Sequence, residues 1–556
     1  MKTLSRILNR IEIILLIIIP FCEIANAQAP NWLWADGAGG SNFDIDTGSG
    51  IAVDGSGNSY ITGHFGTGSI EFDPYYLSNN GSFDIFIAKY TSSGNVVWAQ
   101  SAGGNASEAG HSVALDAYGN CYATGYFGSS TITFGSITLT NNGSNNIFIV
   151  KYDPSGNVLW AKNSVGTGDD GGALGIAADG LGNCYVTGYF SSNSVTFGSF
   201  TLTNGGVDNI FVVKYDPLGN VLWARRAGGS SSDWGHAIAA DATGNSYLTG
   251  HFSSNSIIFG TDTLTNSSGN HLFVVKYDAP GNVVWARSTQ GGLYDEGNGI
   301  AADDSGNCYV SGDFNGDSTT FGAITLTSDS SADIFVVKFD TSGTVVWAKR
   351  AGGNSTEYGT GIAMDGSSNI YVTGYFASDI ITFDSSSLTN YGSTNIFVAK
   401  YDLAGTVIWA KSATGSFGDR CFGIAADGDG NSYVTGDFSN GITFGSTTLT
   451  NNSFADIFIA KLSGLATGIE EMQTDKETLQ IFPNPFSSQT VLQSTGVLHN
   501  ASLIIEDIFG QRIKEANNLN GQRFILQREG LPCGIYFILL TEESKIIAVK
   551  KLIITG

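Results

Sequence analysis

Basic side chains are scarce in this sequence. Lysine and arginine number 26 against 50 aspartates and glutamates, which leaves a formal charge of −24 on 556 residues. A chain of that sign offers little to phosphate backbones or anionic membrane surfaces, and so argues against nucleic-acid and membrane-surface partners. Helical periodicity is missing outside the extreme N-terminus, which leaves an all-β reading. The one long apolar stretch, Ile13 to Phe21, is too short to span a bilayer. H-E-x-x-H, G-x-S-x-G and a phosphate-binding loop ending in Lys-Ser/Thr are all absent. Their absence weakens an enzymatic reading without removing it, because a site can be assembled from distant loops.

What the sequence does contain is repetition. Tyr60, Tyr122, Tyr185, Tyr247, Tyr309, Tyr371 and Tyr433 each open a Y-x-[TS]-G step, 62 or 63 residues apart. Phe86, Phe148, Phe211, Phe273, Phe335, Phe397 and Phe458 each open F-[IV]-[AV]-K, and a Trp-Ala pair recurs from Trp34 to Trp409. Such a period marks a repeat architecture. Within each copy, small or β-branched residues alternate with polar ones, and D-x-x-G-[NT] joins consecutive runs. Glycine there supplies positive φ while aspartate folds back onto backbone amides, so each pair of runs is predicted to be a hairpin. Two hairpins make a four-stranded antiparallel sheet, with the intervening TFG…TLT segment as a short extra hairpin or an edge excursion.

Seven such sheets bury both their faces only when set around an axis, as in a β-propeller. The small GIAA run suits the crowded centre and the tryptophan run the wider rim. Asn31 to Asp36 is an outer-strand sequence that precedes any inner strand, whereas the seventh copy ends at Leu462 with no outer strand. The N-terminal strand is therefore expected to complete the last blade and close the ring. The core at 299–312, GIAADDSGNCYVSG, resembles the SBBP family of seven-bladed propeller repeats. Ser368 replaces the turn glycine in blade six, and Thr91 the second-turn aspartate in blade one.

The domain plan reads as a signal peptide over 1–27, a propeller over 28–463, a linker over 464–477 and a second domain over 478–556. Lys2, Arg6 and Arg10 precede the apolar stretch, and Ala25-Asn26-Ala27 forms an A-x-A cleavage site. A lipoprotein reading would need a small residue before Cys22, where Phe21 stands. Cys121, Cys184 and Cys308 share one repeat position on different blades, too far apart to bridge, and read as small buried residues. No CxxC spacing suggests a metal site.

Several short strands after residue 478 suggest a small Ig-like β-sandwich. F-P-N-P at 482–485 (Pro483, Asn484, Pro485), Asp507 and Gly510 in D-x-x-G, Leu531, Gly534 and Tyr536 in L-x-x-G-x-Y, and Lys550 near the end resemble the type A sorting domain of the type IX secretion system. The resemblance implies Sec-dependent entry into the periplasm, then passage across an outer membrane by the type IX machinery. It also implies removal of the domain by a sortase-like peptidase, leaving the protein secreted or attached to the cell surface, without a transmembrane helix once the signal is removed.

Candidate function rests on where the repeats differ. Asp46, Glu108, Asp233, Asp295, Glu357 and Asp419 stand eight residues before an inner-strand aspartate; blade three has Gly171 there, beside Asp170. Beside this acidic set the residues vary, with His111, Trp234, His236, Asn298, Tyr358 and Arg420. Variable aromatic and polar side chains on a fixed scaffold describe a binding rim for an extracellular glycan or protein. The alternative for the acids is that each caps its own loop. His64 and His251 share a position otherwise held by Tyr or Asp and read as packing or rim variants. No cofactor is required. Calcium is the one alternative, at the acidic ring or at turns such as Asp427 to Asn431, which otherwise read as plain hairpins. The leading reading is a binding or adhesion scaffold. The others are a polysaccharide hydrolase or lyase at the channel mouth, and a structural surface component.

Overall fold

A computed structural model describes residues 30–464, apart from 41–44, 67, 167, 268, 329–330 and 452–453, and residues 479–555, apart from 507–511 and 543–544. The leader, nearly all of the 464–477 linker, Asp507 and Gly510 lie outside the described residues. The chain divides into two compact units, one on each side of residues 466/467.

The first unit is a seven-bladed propeller. Blade one runs outward as Thr47–Val53, Ser59–Phe65, Asp84–Tyr90 and Val96–Ala102, each strand antiparallel to the last. A separate two-stranded hairpin, Ser69–Phe72 with Tyr75–Ser78, leaves the blade between its second and third strands. The TFG…TLT segment is thus an extra hairpin, and it recurs in every blade. The inner strands converge on the axis, where small residues such as Gly50, Gly175 and Gly299 permit close approach. A Cβ on Gly50 would lie 2.9 Å from the Ser112 Cα of the next inner strand.

Blade seven shows the closure. Arg420–Ala426, Ser432–Phe438 and Asp456–Leu462 are completed by Trp32–Ala38, with Trp34 opposite Lys461. That register reproduces the pairing of Trp98 with Lys89 in blade one.

Neighbouring blades are joined by a recurring unit. Asp116 Oδ1 accepts from the Tyr118 and Asn120 amides, and Oδ2 from Asn120 Nδ2, which folds the turn. The Tyr122 hydroxyl lies 3.0 Å from Asp116 Oδ2 and 2.7 Å from the Gly182 carbonyl of the next blade's turn. Lys151 Nζ sits 4.6 Å from the centre of the Tyr122 ring and 3.2 Å from Asp116. The repeated lysine therefore stacks on the repeated tyrosine in all seven blades. Trp160 Nε1 donates to the Pro217 carbonyl across the same seam. Between sheets, apolar faces from two blades share each core, as where Ile85, Ile87 and Trp98 meet Val113, Ala123 and Phe148. Cys121, Cys184, Cys308 and Cys421 are buried free thiols inside these cores.

The second unit is a small all-β sandwich. Gln489–Glu506 and Arg512–Gln527 are long strands whose pairing shifts between Gln493 and Leu503. The first half of Gln489–Glu506 carries Leu479–Phe482, and its second half pairs with Gly534–Glu542, which carries Lys545–Ile554. Leu479, Leu492, Ile505, Ile538, Leu540 and Leu552 form one core. Asn484 binds the last strand like a strand residue, donating to the Lys551 carbonyl at 2.7 Å and accepting from the Ile553 amide at 2.8 Å. Tyr536 donates to the Pro532 carbonyl, and Leu531 is buried. The F-P-N-P and L-x-x-G-x-Y residues thus hold the sandwich together, while Gly534 opens the Gly534–Glu542 strand and Lys550 lies in the last one, opposite Ile538.

Deleting residues 30–38 leaves Asp456–Leu462 with an unpaired edge. The expected result is loss of the cooperative propeller melt, read by calorimetry or circular dichroism; an unchanged transition would contradict closure by this strand.

Candidate functional site

Seven inner strands surround a channel of about 220 Å3. At one register position the blades contribute Ser49, His111, Leu174, His236, Asn298, Thr360 and Phe422 to its wall. The turns are nearly identical around the ring, but here no two neighbouring blades agree.

The acidic set lies outside this wall. Asp46, Glu108, Asp233, Asp295, Glu357 and Asp419 are all buried. Glu108 accepts from the Gly104 and Ser129 amides, each at 2.9 Å. Asp233 accepts from the Gly229 amide at 2.7 Å and from Ser254 Oγ at 2.7 Å. Asp46 accepts from the Gly66 amide, Glu357 from the Gly353 amide and Ser378, Asp295 from Thr319, and Asp419 from the Ser439 amide. Blade three retains the device one residue earlier, with Asp170 accepting from Ser164 and Ser192. The carboxylates are turned onto their own loops, so the picture of an open acidic ring gives way to seven loop anchors. The reason is physical: glycine-rich crossings leave amides without strand partners, and a carboxylate satisfies them. The Asp427 turn is likewise closed on itself, with both oxygens accepting from its own Asn431 and Tyr433.

Of the other candidates, His111, His236 and Asn298 line the channel, while Trp234, Tyr358 and Arg420 stand two residues earlier on the inner strands that carry His236, Thr360 and Phe422. His111 lines the channel, with Nδ1 2.9 Å from the Ala173 carbonyl. Trp234 stacks on Tyr189 at 4.2 Å, nearly parallel, and its Nε1 donates to Asp208. Tyr358 is 37% exposed and packs against Tyr375. Arg420 forms a two-pronged pair with buried Asp437, at 3.0 and 2.7 Å.

Between blades four and five, His236, Asn298 and Trp234 meet His251, read in the sequence as a packing or rim variant, and two acids that the sequence did not single out. Register places Trp234 opposite His251 and Glu296 opposite Asp313. The His236 and His251 rings lie 4.9 Å apart, and His251 Nδ1 is 3.6 Å from Glu296 Oε1. One ligand atom each from His236, His251 and Glu296 fall within 4.8 Å of one another. Asn298 donates to Asp313 and to the Gly359 carbonyl, which turns its oxygen toward His236 Nδ1 at 3.1 Å. Burial, reinforced by His236, holds His251 down at about 4. Burial also lowers His236, against the charge of Glu296 and the bonds to Asn298 and the Gly297 backbone. Burial and then Glu296 push the Asp313 carboxyl well up. The mouth thus gathers two imidazoles that burial biases against protonation, Glu296, and the Asp313 carboxyl that burial biases toward its proton. His251 was legible only as a departure from the repeat; Glu296 and Asp313 gave no signal, because each looks like one more acid in an acidic chain.

The fold and its uneven channel mouth define a repeat propeller fused to a separate β-sandwich. Comparison with known families gives both parts a place. The family model described as a beta-propeller repeat (SBBP) matches residues 39–64, 222–258 and 346–375. The secretion system C-terminal sorting domain matches residues 480–555. The chain therefore carries segments matching the SBBP propeller repeat and, at its C-terminus, a secretion sorting domain, which marks it for export by the type IX system. Among curated proteins it is 25% identical over 441 residues to an uncharacterized WD repeat-containing protein of Acanthamoeba polyphaga mimivirus, covering 65% of this chain and 32% of that one. The chain thus spans about a third of that relative's length. Among solved structures, a fungal alcohol oxidase in complex with copper matches at 11% identity and TM-score 0.36, covering 95% of this chain and all of that one. PorZ, a bacterial surface component of the type-IX secretion system of Porphyromonas gingivalis, matches at 9% identity and TM-score 0.20, covering 94% and 100%. Among the described residues, no helix is long and apolar enough to cross a membrane.

The loop anchors carry a pH signature. Burial, and then the charge of Asp437, raise Asp419 to about 8 against the bond from the Ser439 amide, and its Oδ2 has no hydrogen-bond partner. A carboxyl raised on folding contributes stability that is complete below its unfolded value near 4 and is lost as pH rises toward 8. The propeller's melting temperature is expected to fall between pH 5 and pH 9, and less steeply in Asp419→Asn. Parallel slopes in a calorimetric series would contradict this.

Proposed function

We propose that this protein is an extracellular binding protein, and that its ligand is an exported or surface glycan held at the channel mouth. The observation that carries the reading is the confinement of variety to one place. The blades repeat their turns, tyrosines and lysines, whereas Trp234, Tyr358, Arg420, His111, His236 and Asn298 break the repeat on the inner strands, where symmetry requires none of them. Exposed Tyr358 and half-buried Trp234, beside fixed polar groups, suit a ligand with apolar ring faces and many hydroxyls. The sorting domain delivers this mouth to the outside of the cell, through the type IX machinery and removal by its sortase-like peptidase.

A second reading has its own support. His251 and Glu296 face each other at 3.6 Å beside His236, with Asp313 reached through Asn298. Imidazole and paired acids at one mouth are groups that a polysaccharide hydrolase or lyase uses for proton transfer.

A glycan array probed with the mature chain, alongside a peptide array, is expected to give glycan signals that Trp234→Ala and Tyr358→Ala each weaken at least tenfold. Signals untouched by both changes would move the ligand away from the mouth, and release of shortened sugars from a bound glycan would favour the enzyme. For export, a chain ending at Leu462 is expected to accumulate in the periplasm; its normal appearance outside the cell would sink the sorting assignment.

A further inference from the structure

We propose that His236, His251 and Glu296 form a binding site for one zinc-type divalent ion, with an open coordination position directed into the channel mouth. The set is two imidazole nitrogens and one carboxylate oxygen from three residues, the mixture that suits a borderline metal rather than calcium, which prefers oxygen alone. Their ligand atoms already lie within 4.8 Å of one another. Tetrahedral zinc with bonds of about 2.1 Å holds its ligands about 3.4 Å apart. Side-chain movements of about 1 Å close that difference.

Three further observations point to an occupant. His251 is 7% exposed, and its Nδ1 is buried without a hydrogen-bond partner. That nitrogen faces Glu296 Oε1 at 3.6 Å, too far to bond and suited to a cation between them. Buried polar atoms of this kind call for an explanation, and a metal supplies one. The surrounding groups are also arranged as metal sites arrange them. Asn298 is oriented by its bonds to Asp313 and Gly359, so its oxygen accepts from His236 Nδ1 and leaves the other ring nitrogen with its lone pair. Asn270 Nδ2 donates to Glu296 Oε1 at 2.9 Å and fixes the carboxylate.

Repeat symmetry argues against a purely architectural role. The His251 position carries His64, Tyr126, Tyr189, Asp313, Tyr375 and Asp437 in the other blades, and the His236 position carries Ser49, His111, Leu174, Asn298, Thr360 and Phe422. Only blades four and five combine two histidines with a glutamate across their seam, so the packing of a blade does not demand it. The site stands whether or not the mouth takes a glycan, because its test reads the metal alone.

The full chain without its signal peptide, stripped with a chelator and carrying Cys533→Ser to remove an exposed thiol, is titrated calorimetrically with zinc chloride, with calcium chloride as the contrast. One zinc per chain at micromolar affinity or tighter is expected, with cobalt giving the visible absorption of a tetrahedral site. His251→Gln and Glu296→Gln are expected to weaken zinc at least a hundredfold, and Asn270→Ala about tenfold. Glu296 is partly exposed, so its variant preserves the fold even where His251→Gln does not, and His64→Gln leaves zinc binding unchanged. No stoichiometric zinc in the parent chain, or equal binding by the folded Glu296→Gln variant, would overturn the site.

Discussion

The propeller depends on one arrangement per seam: a buried tyrosine whose hydroxyl reaches the turn of the next blade. Tyr122, Tyr185, Tyr247, Tyr371 and Tyr433 meet the carbonyls of Gly182, Gly244, Gly306, Gly430 and Gly57 at 2.7 to 3.1 Å. Each hydrogen bond is worth about 1 kcal/mol net, and the lysine over each ring adds a similar amount. Their more important effect is geometric. The carbonyl presented to the tyrosine belongs to the turn that an aspartate has folded, so the shape of one hairpin sets the position of its neighbour. Blade six tests the rule. Ser368 replaces glycine there and is held at φ 63°, while the facing Tyr309 hydroxyl is 3.1 Å from its own Asp303.

This constraint explains the distribution of information along the chain. Tyrosine, lysine and the D-x-x-G-N turn recur because each seam needs them, and recurrence made the fold readable from sequence. That the repeated lysines cover the tyrosine rings required the register. The six acids were legible as a set, and being a set is itself what marks them as structural. A group required once per blade serves the blade.

The mouth was legible only in part, for the complementary reason. Trp234, His236 and Asn298 stood out as departures from the repeat. Glu296 did not, because it follows the recurring Asp295 and adds one acid to an acidic run. His236, His251 and Glu296 occupy three different repeat positions on two blades, so no comparison of copies aligns them. They meet because antiparallel pairing sets Trp234 against His251, while the next inner strand brings Glu296 alongside. Sequence periodicity reports what the blades share, and the cluster consists of what two of them do not.

Closure by Trp32–Ala38 also imposes an order in time. Tyr433 and its partner Gly57 are 376 residues apart in the chain. Loop entropy grows only logarithmically, so the distance adds little to the equilibrium cost. Kinetically it is decisive, since contacts between distant residues form last. Until the seventh blade exists, the first strand has no partner, and the growing sheet stack ends in an open edge able to pair with other chains. A polypeptide of this design therefore cannot complete its native ring until Asp456–Leu462 is available to pair with Trp32–Ala38, and that edge stays open until then.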